Sequence, residues 1–407
     1  FALLGSVLYM LGAVLLYGAY GTLDIALLAE RVRPGTLCFA AVALMTAGLL
    51  AKTALFPLHL WLPPAHAGAP AAASAVLSAL VVKGSWFLVV RLWFDVMPGV
   101  VTLSAAQLLG GLGTAAIVVG SVVALRQERL KLLVAYSTMA QIGYLFLMFP
   151  LAFDVSGNGP VHGFALAGGL LQVISHATAK AGMFMAAGLV YAALGHDRLA
   201  DMAGVARAMP VTVLAFVLAG IALMGVLPSG AYLAKKLMLD AAVGSGQWWW
   251  SIVLQGGAVF TAGYVVLVLR SVLSTGSAEP LCVRAVSRRS EYAALSLALI
   301  SLALAAVTLG PVSVDLLSGA LEPKELLTLV LVLAGGILLM QGLAPVALRN
   351  SPGSTPSGLR SLQRAMFSVG VIFEQGDLLL RRWTAASICL LALAALFGVL
   401  LFYGSLT

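Results

Sequence analysis

The chain has 407 residues, of which 61% are hydrophobic and only 9% are charged, and its formal net charge is +8. A soluble domain carries about 25% charged residues, so this composition excludes a soluble enzyme, a disordered tail and a disulfide-rich scaffold. The positive charge is typical of the basic cytoplasmic loops of a membrane protein, and we expect no nucleic-acid partner.

Apolar runs recur along the whole chain, and a membrane span needs about 20 such residues. We therefore predict an all-α, polytopic integral membrane protein with about ten or eleven transmembrane helices, two of them broken. The predicted spans are 1–20, 35–56, 72–94, 104–125, 132–152, 161–191, 210–244, 248–270, 292–311, 325–347 and 384–404.

Two places interrupt these predicted helices. The stretch 57–70 contains four prolines, and the run 210–244, which is too long for one straight span, contains Leu227–Gly230 near its middle. Non-helical backbone at membrane depth is tolerated only against protein or a water-filled cavity, and broken helices are typical of transporters. We interpret these places as helix breaks, with packing kinks as the alternative; the residues that mark them are Pro57, Pro228 and Gly230.

Basic residues are concentrated in alternate loops, which predicts the topology. One side of the membrane holds fourteen arginines and lysines, whereas the other side holds only Arg31, Arg33, Arg91 and Lys324. The basic side is predicted to be cytoplasmic, and the C-terminus then faces outward. The basic side comprises the loops 57–71, 126–131, 192–209, 270–291 and 348–383.

The segment 361–382 is amphipathic and is flanked by arginines. This pattern predicts a helix that lies on the cytoplasmic membrane surface. A helix that contacts a partner protein is the alternative.

Five of the seven lysines fall inside predicted spans, whereas the arginines lie outside them or at their ends. Intramembrane ionisable residues are costly and mark functional sites. A buried lysine can lose its proton, whereas an arginine cannot, so this distribution favours proton relay over fixed charge. His176 lies four residues before Lys180 and therefore on the same helix face. The predicted proton-translocation residues are Lys52, Lys83, His176, Lys180 and Lys235.

Other interpretations of single residues stay open. The side chains of Lys52 and Lys236 could instead reach the membrane interface, and His176 could be a packing residue. Asp240, the one carboxylate away from the ends of a predicted span, follows Lys236 by one helical turn, so the two form a candidate ion pair.

The sequence predicts no metal site and no bound cofactor. A sodium or calcium site needs several oxygen ligands, which the spans lack. The cysteines, Cys38, Cys282 and Cys389, are far apart, and the histidines are scattered without the spacing of zinc ligands.

Four segments of the chain are distinctive, and most of them contain a lysine or proline discussed above. They are Lys52–Pro70, Lys131–Tyr144, His176–Lys180 and Pro228–Lys235. In these segments the sequence resembles the antiporter-like proton-channel family. That family includes the L, M and N subunits of respiratory complex I and the large subunits of multisubunit sodium/proton antiporters. It also includes membrane subunits of membrane-bound hydrogenases and formate hydrogenlyase. The resemblance extends from residue 1 to about residue 275.

The resemblance implies a fold of two inverted five-helix repeats, each with one broken helix. Residues 1–103 would be the C-terminal part of a first, incomplete repeat, 104–275 the second repeat, and 276–407 C-terminal helices. By the same resemblance, Lys52 and Lys235 match lysines of the two broken helices, and Lys83 matches the lysine of the helix after the first break. His176 and Lys180 match the polar pair that links two half-channels.

In one respect the chain departs from the family. Family members have further helices before the point that matches Phe1, and these carry a glutamate that pairs with the lysine matching Lys52. We expect this N-terminal part to be absent from the present sequence or to belong to a separate chain. The other expected partners are membrane subunits of a multisubunit complex and lipids, in the cytoplasmic membrane of a bacterium or archaeon.

The resemblance implies a proton-translocating, non-redox subunit of an ion-pumping complex, either a complex I-like or hydrogenase-like oxidoreductase or a cation/proton antiporter. Protons are the expected ion, and sodium stays open as a second one. Two alternatives stay open as well: an energy-coupling subunit for non-redox transport such as inorganic-carbon uptake, and a structural scaffold that has lost transport.

Overall fold

The computed structural model describes residues 1–154, 163–274, 284–306, 323–348 and 357–404. Within these ranges the regular elements are helices and there is no β-strand, so the predicted all-α class is confirmed. Cys282 and His162 lie outside the described residues.

The helices are named in chain order. They are α1 (Ala2–Tyr20), α2 (Ile25–Arg31), α3 (Thr36–Thr53), α4 (Leu62–Gly68), α5 (Ala71–Val96), α6 (Leu103–Leu125), α7 (Leu130–Leu151), α8 (Gly163–Leu194), α9 (Pro210–Leu223), α10 (Gly230–Gly244), α11 (Trp249–Leu273), α12 (Arg288–Ala306), α13 (Pro323–Leu343), α14 (Ser357–Leu380) and α15 (Trp383–Gly404).

Ten helices of the described residues are long and apolar enough to cross a membrane. The shorter helices α9 and α10 follow one another across the predicted span 210–244. The chain is therefore a multi-pass membrane protein, and its helices match the spans predicted from hydrophobicity to within a few residues.

The backbone leaves the helical conformation at both places where the sequence predicts a break. α3 ends at Thr53, and residues 54–61 precede α4. Ala54 ends α3 in the left-handed conformation, with φ 58°, which a residue with a Cβ adopts only at a cost. α9 ends at Leu223, and α10 starts after Ser229, whose Oγ accepts a hydrogen bond from the N–H of Tyr232 at 3.1 Å.

The helix α7 lies at the centre of the bundle, because 94% of an 18-residue apolar stretch within it is buried inside the protein. It packs closely against α6 through facing glycines. A Cβ on Gly113 would lie 2.6 Å from the carbonyl oxygen of Gly143, so only glycine fits this contact. Small residues at helix interfaces in membranes allow the backbones to approach in this way. The central position lets α7 contact α4, α8 and α11 as well as α6.

The amphipathic segment forms α14, which packs against α13, α6 and α15. Arg126, the residue that ends α6, donates from Nη2 to Oε2 of Glu374 on α14 at 2.9 Å. Because Arg126 belongs to a loop on the arginine-rich side, α14 covers that end of the bundle. Large apolar side chains on its other face, such as Val369 and Ile372, are exposed.

Candidate functional site

Lys83 lies in the middle of α5, and its side chain is only 4% exposed. It lies two residues after a widened, π-helical stretch, Leu77–Val81. Its Nζ donates a hydrogen bond to the backbone carbonyl oxygen of Ser78, which lies in this stretch. Single π-helical turns inside α-helices occur frequently at functional sites. The local geometry therefore gives Lys83 a neutral oxygen as its acceptor.

Lys180 lies on α8 and is completely buried. Its Nζ donates to Oγ of Ser137 at 2.5 Å and to the carbonyl oxygen of Val134 at 3.4 Å, both on α7. The centroid of the Tyr264 ring lies 5.9 Å from the same nitrogen. In the part of the chain that the structure describes, Lys180 forms no ion pair with a carboxylate. Neutral acceptors hold the amine without fixing it in the charged form.

The helix α7 connects the two lysines through adjacent hydroxyls. Thr138 follows Ser137 directly, and its Oγ1 lies 3.2 Å from Oγ of Ser78. Lys83, Lys180 and His176 are close enough for their charges to interact. The structure thus brings together three of the five residues that the sequence predicts for proton translocation.

Two buried histidines accompany these lysines. His176 and His66 are both completely buried, and their ring nitrogens have no hydrogen-bond partner among the described residues. The ring of His66 stacks on that of Phe184, with the centroids 4.4 Å apart, and His66 lies within electrostatic range of Lys83 and Lys180. Buried polar atoms are almost always hydrogen-bonded, so these imidazoles are exceptional. Sequence reasoning missed His66, although it lies inside the segment Lys52–Pro70.

Polar side chains continue from Lys180 to the second helix break. Gln141, on α7, donates from Nε2 to the hydroxyl of Tyr264 at 3.5 Å and to the carbonyl oxygen of Leu223 at 3.4 Å. Leu223 is the last residue of α9. Gln172, on α8, donates to Oε1 of Gln141 at 3.4 Å. Sequence reasoning missed both glutamines, because a glutamine side chain is not ionisable and does not stand out in an apolar span.

Lys235 and Lys52 lie apart from the central group. Lys235, in the second turn of α10, is partly buried and within electrostatic range of Glu325 on α13. The hydroxyl of Tyr232 donates to Oε1 of Glu325 at 3.0 Å. Lys52 is partly buried in the last turn of α3, and no ion pair involves it among the residues of the described ranges.

The structure does not contain the ion pair between Lys236 and Asp240, although both residues are described. Asp240 is exposed, whereas Lys236 is half-buried. An acidic residue before a basic one is the better order for an i, i+4 pair, and here the order is reversed.

A carboxylate that the sequence predicts on the cytoplasmic surface is buried instead. Asp377, on α14, is 2% exposed, and its Oδ1 lies 2.7 Å from Nε2 of His59. Sequence reasoning missed both residues, because nothing local distinguishes Asp377 from the other charges of an amphipathic helix.

Comparisons with known proteins relate the chain to a family of membrane proteins. A family described as NADH:quinone oxidoreductase/Mrp antiporter, transmembrane, matches residues 1–261. NADH-quinone oxidoreductase subunit N of Desulforudis audaxviator is 34% identical over 276 residues, which are 67% of this chain and 53% of that protein. A Na(+)/H(+) antiporter subunit of Alkalihalophilus pseudofirmus is 33% identical over 250 residues, which are 59% of this chain and 30% of that protein. The chain thus spans about half the length of the first of these relatives and less than a third of the second.

The fold is shared with solved structures of other membrane complexes. A chain of the Mrp complex from Dietzia sp. superimposes with a TM-score of 0.65 and 22% identity, over 85% of this chain and 67% of that chain. A chain of the membrane-bound sulfane sulfur reductase, an archaeal respiratory membrane complex, gives a TM-score of 0.64 and 27% identity, over 83% of this chain and 64% of that chain.

Proposed function

The chain belongs to the NADH:quinone oxidoreductase/Mrp antiporter transmembrane family, and from this premise we propose that it translocates protons as an antiporter-like subunit of a multisubunit ion-pumping complex. The observation that carries the proposal is Lys180, a completely buried amine whose acceptors are a hydroxyl and a backbone carbonyl. A fixed structural charge at such a depth would need a carboxylate partner to offset its desolvation.

The reaction is transfer of a proton between amines that can be charged or neutral. Burial disfavours the charged form of a lysine, and a neutral hydroxyl acceptor offsets this penalty less than a carboxylate would. Like charges on Lys83 and Lys180 repel, so a proton that reaches one of them favours release from the other. Successive protonation of neighbouring lysines then moves charge through the bundle without any bound cofactor.

We place the pathway between the two helix breaks. It runs from the arginine-rich end through Lys83, His176 and Lys180, past Tyr264 and Gln141, to the break after Leu223. Lys235, with Glu325 beside it, then lies on the outlet side of this break, while Lys52 lies at the first break. The proposed repeats, 1–103 and 104–275, each contain one break.

The proposed partners are other membrane subunits. The relatives named above include a subunit of a quinone oxidoreductase and a subunit of a cation antiporter, so redox chemistry and cation exchange are both candidate drivers. A partner membrane subunit is the proposed source of a counter-charge for Lys52. Coupling to inorganic-carbon uptake is the non-redox alternative.

The test uses the assembly that purifies with a tag on this chain. It is reconstituted in proteoliposomes and energised either with NADH and a quinone or with a sodium gradient, and a pH-sensitive dye follows proton movement. Identification of the co-purified chains decides which driver applies. We expect Lys180→Ala to abolish proton flux in a complex that assembles normally. Lys324→Ala, which removes an exposed lysine, is the matched control and should pump as the parent does. Normal pumping by Lys180→Ala would overturn the proposal.

A further inference from the structure

Asp377 and three side chains around it form a buried polar cluster at the arginine-rich end of the bundle. Oδ1 of Asp377 lies 2.7 Å from Nε2 of His59, and Oδ2 accepts a hydrogen bond from the hydroxyl of Tyr136 at 2.6 Å. Nη1 of Arg381 lies 3.8 Å from Oδ2 and donates to the same hydroxyl at 3.0 Å. His59 is completely buried, and Asp377 is 2% exposed. We refer to these four residues as the Asp377 cluster.

The cluster joins three parts of the chain. His59 belongs to the non-helical stretch after α3, Tyr136 to α7, and Asp377 and Arg381 to the end of α14 and the turn that follows it. A buried carboxylate is costly unless it is paired and hydrogen-bonded, and here three partners surround it. A simple tether for α14 already exists one turn earlier, where Glu374 pairs with Arg126.

His59 has the geometry of a reversible proton carrier. Its Nε2 faces Asp377, and its ring stacks on that of Phe56 with the centroids 5.5 Å apart, which fixes its orientation. Its Nδ1 is buried and has no hydrogen-bond partner within the described residues. When Nε2–H donates to the carboxylate, Nδ1 is the atom at which a proton can be gained or lost.

The cluster lies at the same level of α7 as the central lysines. Tyr136, Ser137 and Thr138 are consecutive residues of α7. Tyr136 donates to Asp377, Ser137 accepts from Lys180, and Thr138 contacts Ser78 on the helix that carries Lys83. Three consecutive helical residues lie within about 3 Å of one another along the axis and point in directions about 100° apart. One short stretch of α7 therefore contacts the Asp377 cluster on one side, and α5 and α8, the helices that carry Lys83 and Lys180, on its other sides.

We propose that His59 and Asp377 form a proton-loading site that supplies the central lysines from the arginine-rich side. This inference rests on the proposed proton translocation. A proton from the aqueous phase forms an N–H bond at Nδ1 of neutral His59, and the resulting imidazolium pairs with the Asp377 carboxylate. The Nδ1–H bond breaks when the proton passes inward and forms an N–H bond on the neutral amine of Lys83, the first lysine of the proposed pathway. His59 binds the transported proton, whereas Asp377, Tyr136 and Arg381 are positioning residues.

The charged and titratable groups that face His59 decide how its loading depends on pH. From α14 and the turn after it come Asp377 and Arg381, and from α7 comes the hydroxyl of Tyr136. The anionic carboxylate is the group in direct contact with the ring, so its removal disfavours the imidazolium.

The experiment compares two variants of α14 in the reconstituted complex. Asp377→Asn keeps the size and the hydrogen-bonding capacity of the side chain but removes its charge. Glu374→Gln, the matched control, removes the charge of the neighbouring tether, which pairs with Arg126 at the end of α6. We expect Asp377→Asn to pump at less than one tenth of the parental rate at neutral pH. We expect it to regain flux when the proton concentration on the arginine-rich side is raised about tenfold. Glu374→Gln should keep the parental rate and pH profile.

A second variant and a stability measurement separate proton loading from docking of α14. His59→Gln should lose flux at every pH, because it has no group to load, while its assembly and thermal midpoint stay close to parental values. If Asp377→Asn and Glu374→Gln lower the thermal midpoint equally and share the parental pH profile, the cluster is a tether and the inference is wrong. Lys180→Ala is assayed in parallel. If it is inactive while His59→Gln pumps normally, only the loading site is refuted; if both pump normally, the proposed function fails as well.

Discussion

Substitution of Ser137 tests how the protein controls the charge on Lys180. The Ser137 hydroxyl accepts from Nζ of Lys180 at 2.5 Å, and the other acceptor within the described residues is the Val134 carbonyl oxygen at 3.4 Å. In Ser137→Ala the shorter contact disappears. Both side chains are completely buried, so bulk water does not reach the amine to replace the lost acceptor.

The size of the effect follows from the charge of the donor. A hydrogen bond to a charged group contributes about 1.5–3 kcal/mol, and each 1.4 kcal/mol is about a tenfold change in an equilibrium constant. Loss of the contact therefore disfavours the protonated form of Lys180 roughly tenfold to a hundredfold relative to the neutral form. If protonation of Lys180 is an obligatory step, we expect proton flux to fall by about tenfold at neutral pH. Alanine favours the helix, so α7 should remain intact.

The assay is dye-monitored proton flux in proteoliposomes, normalised to the amount of assembled complex. Ser121→Ala is the control, because Ser121 is a buried serine on the neighbouring helix α6 whose Oγ has no partner among the described residues. Ser137→Thr keeps a hydroxyl and should restore part of the flux. Flux in Ser137→Ala equal to that in Ser121→Ala, while Lys180→Ala is inactive, would refute the reasoning.

Two further outcomes are expected. Lys83→Arg keeps a positive charge but cannot deprotonate, so it should pump about as poorly as Lys83→Ala in the proteoliposome assay; near-parental flux would mean that Lys83 supplies only fixed charge. Gly113→Ala places a Cβ 2.6 Å from the carbonyl oxygen of Gly143 and should destabilise the complex by about 1–3 kcal/mol, seen as a lower thermal midpoint. Gly111→Ala, on the same helix but with open space around it, should leave the midpoint unchanged or raise it slightly, and equal midpoints in the two variants would contradict the packing argument.

The positions of the spans could be predicted because the bilayer acts on each segment separately. A helix that crosses about 30 Å of hydrocarbon must be apolar over about 20 residues, whatever its neighbours are. The same local rule predicted the breaks: residues 54–61 contain Pro57, and Pro228 and Gly230 lie at the second interruption. An α-helix is held by hydrogen bonds from each backbone N–H to the carbonyl oxygen four residues earlier, and proline has no N–H to donate.

Lys83, His176 and Lys180 could be assigned to one functional hypothesis from the sequence, because an ionisable residue inside a predicted span is conspicuous without any structure. Their roles remain predictions that the flux assays test. The uncharged members of the site could not be recognised in this way. Ser137, Thr138 and Gln141 are ordinary residues of a transmembrane helix, where a hydroxyl can bond to its own backbone.

Tertiary structure decided which of these groups meet. Ser137 binds an amine 43 residues further along the chain, and His59 meets a carboxylate 318 residues away. Such contacts depend on helix packing and on how α14 lies across the bundle, and no local pattern encodes either. The bilayer requires each span to be apolar by itself, so the sequence determined the spans and their breaks. Charge pairing depends on distances between spans, so only the folded bundle decided that Lys180 has neutral acceptors and that Asp377 is buried beside His59.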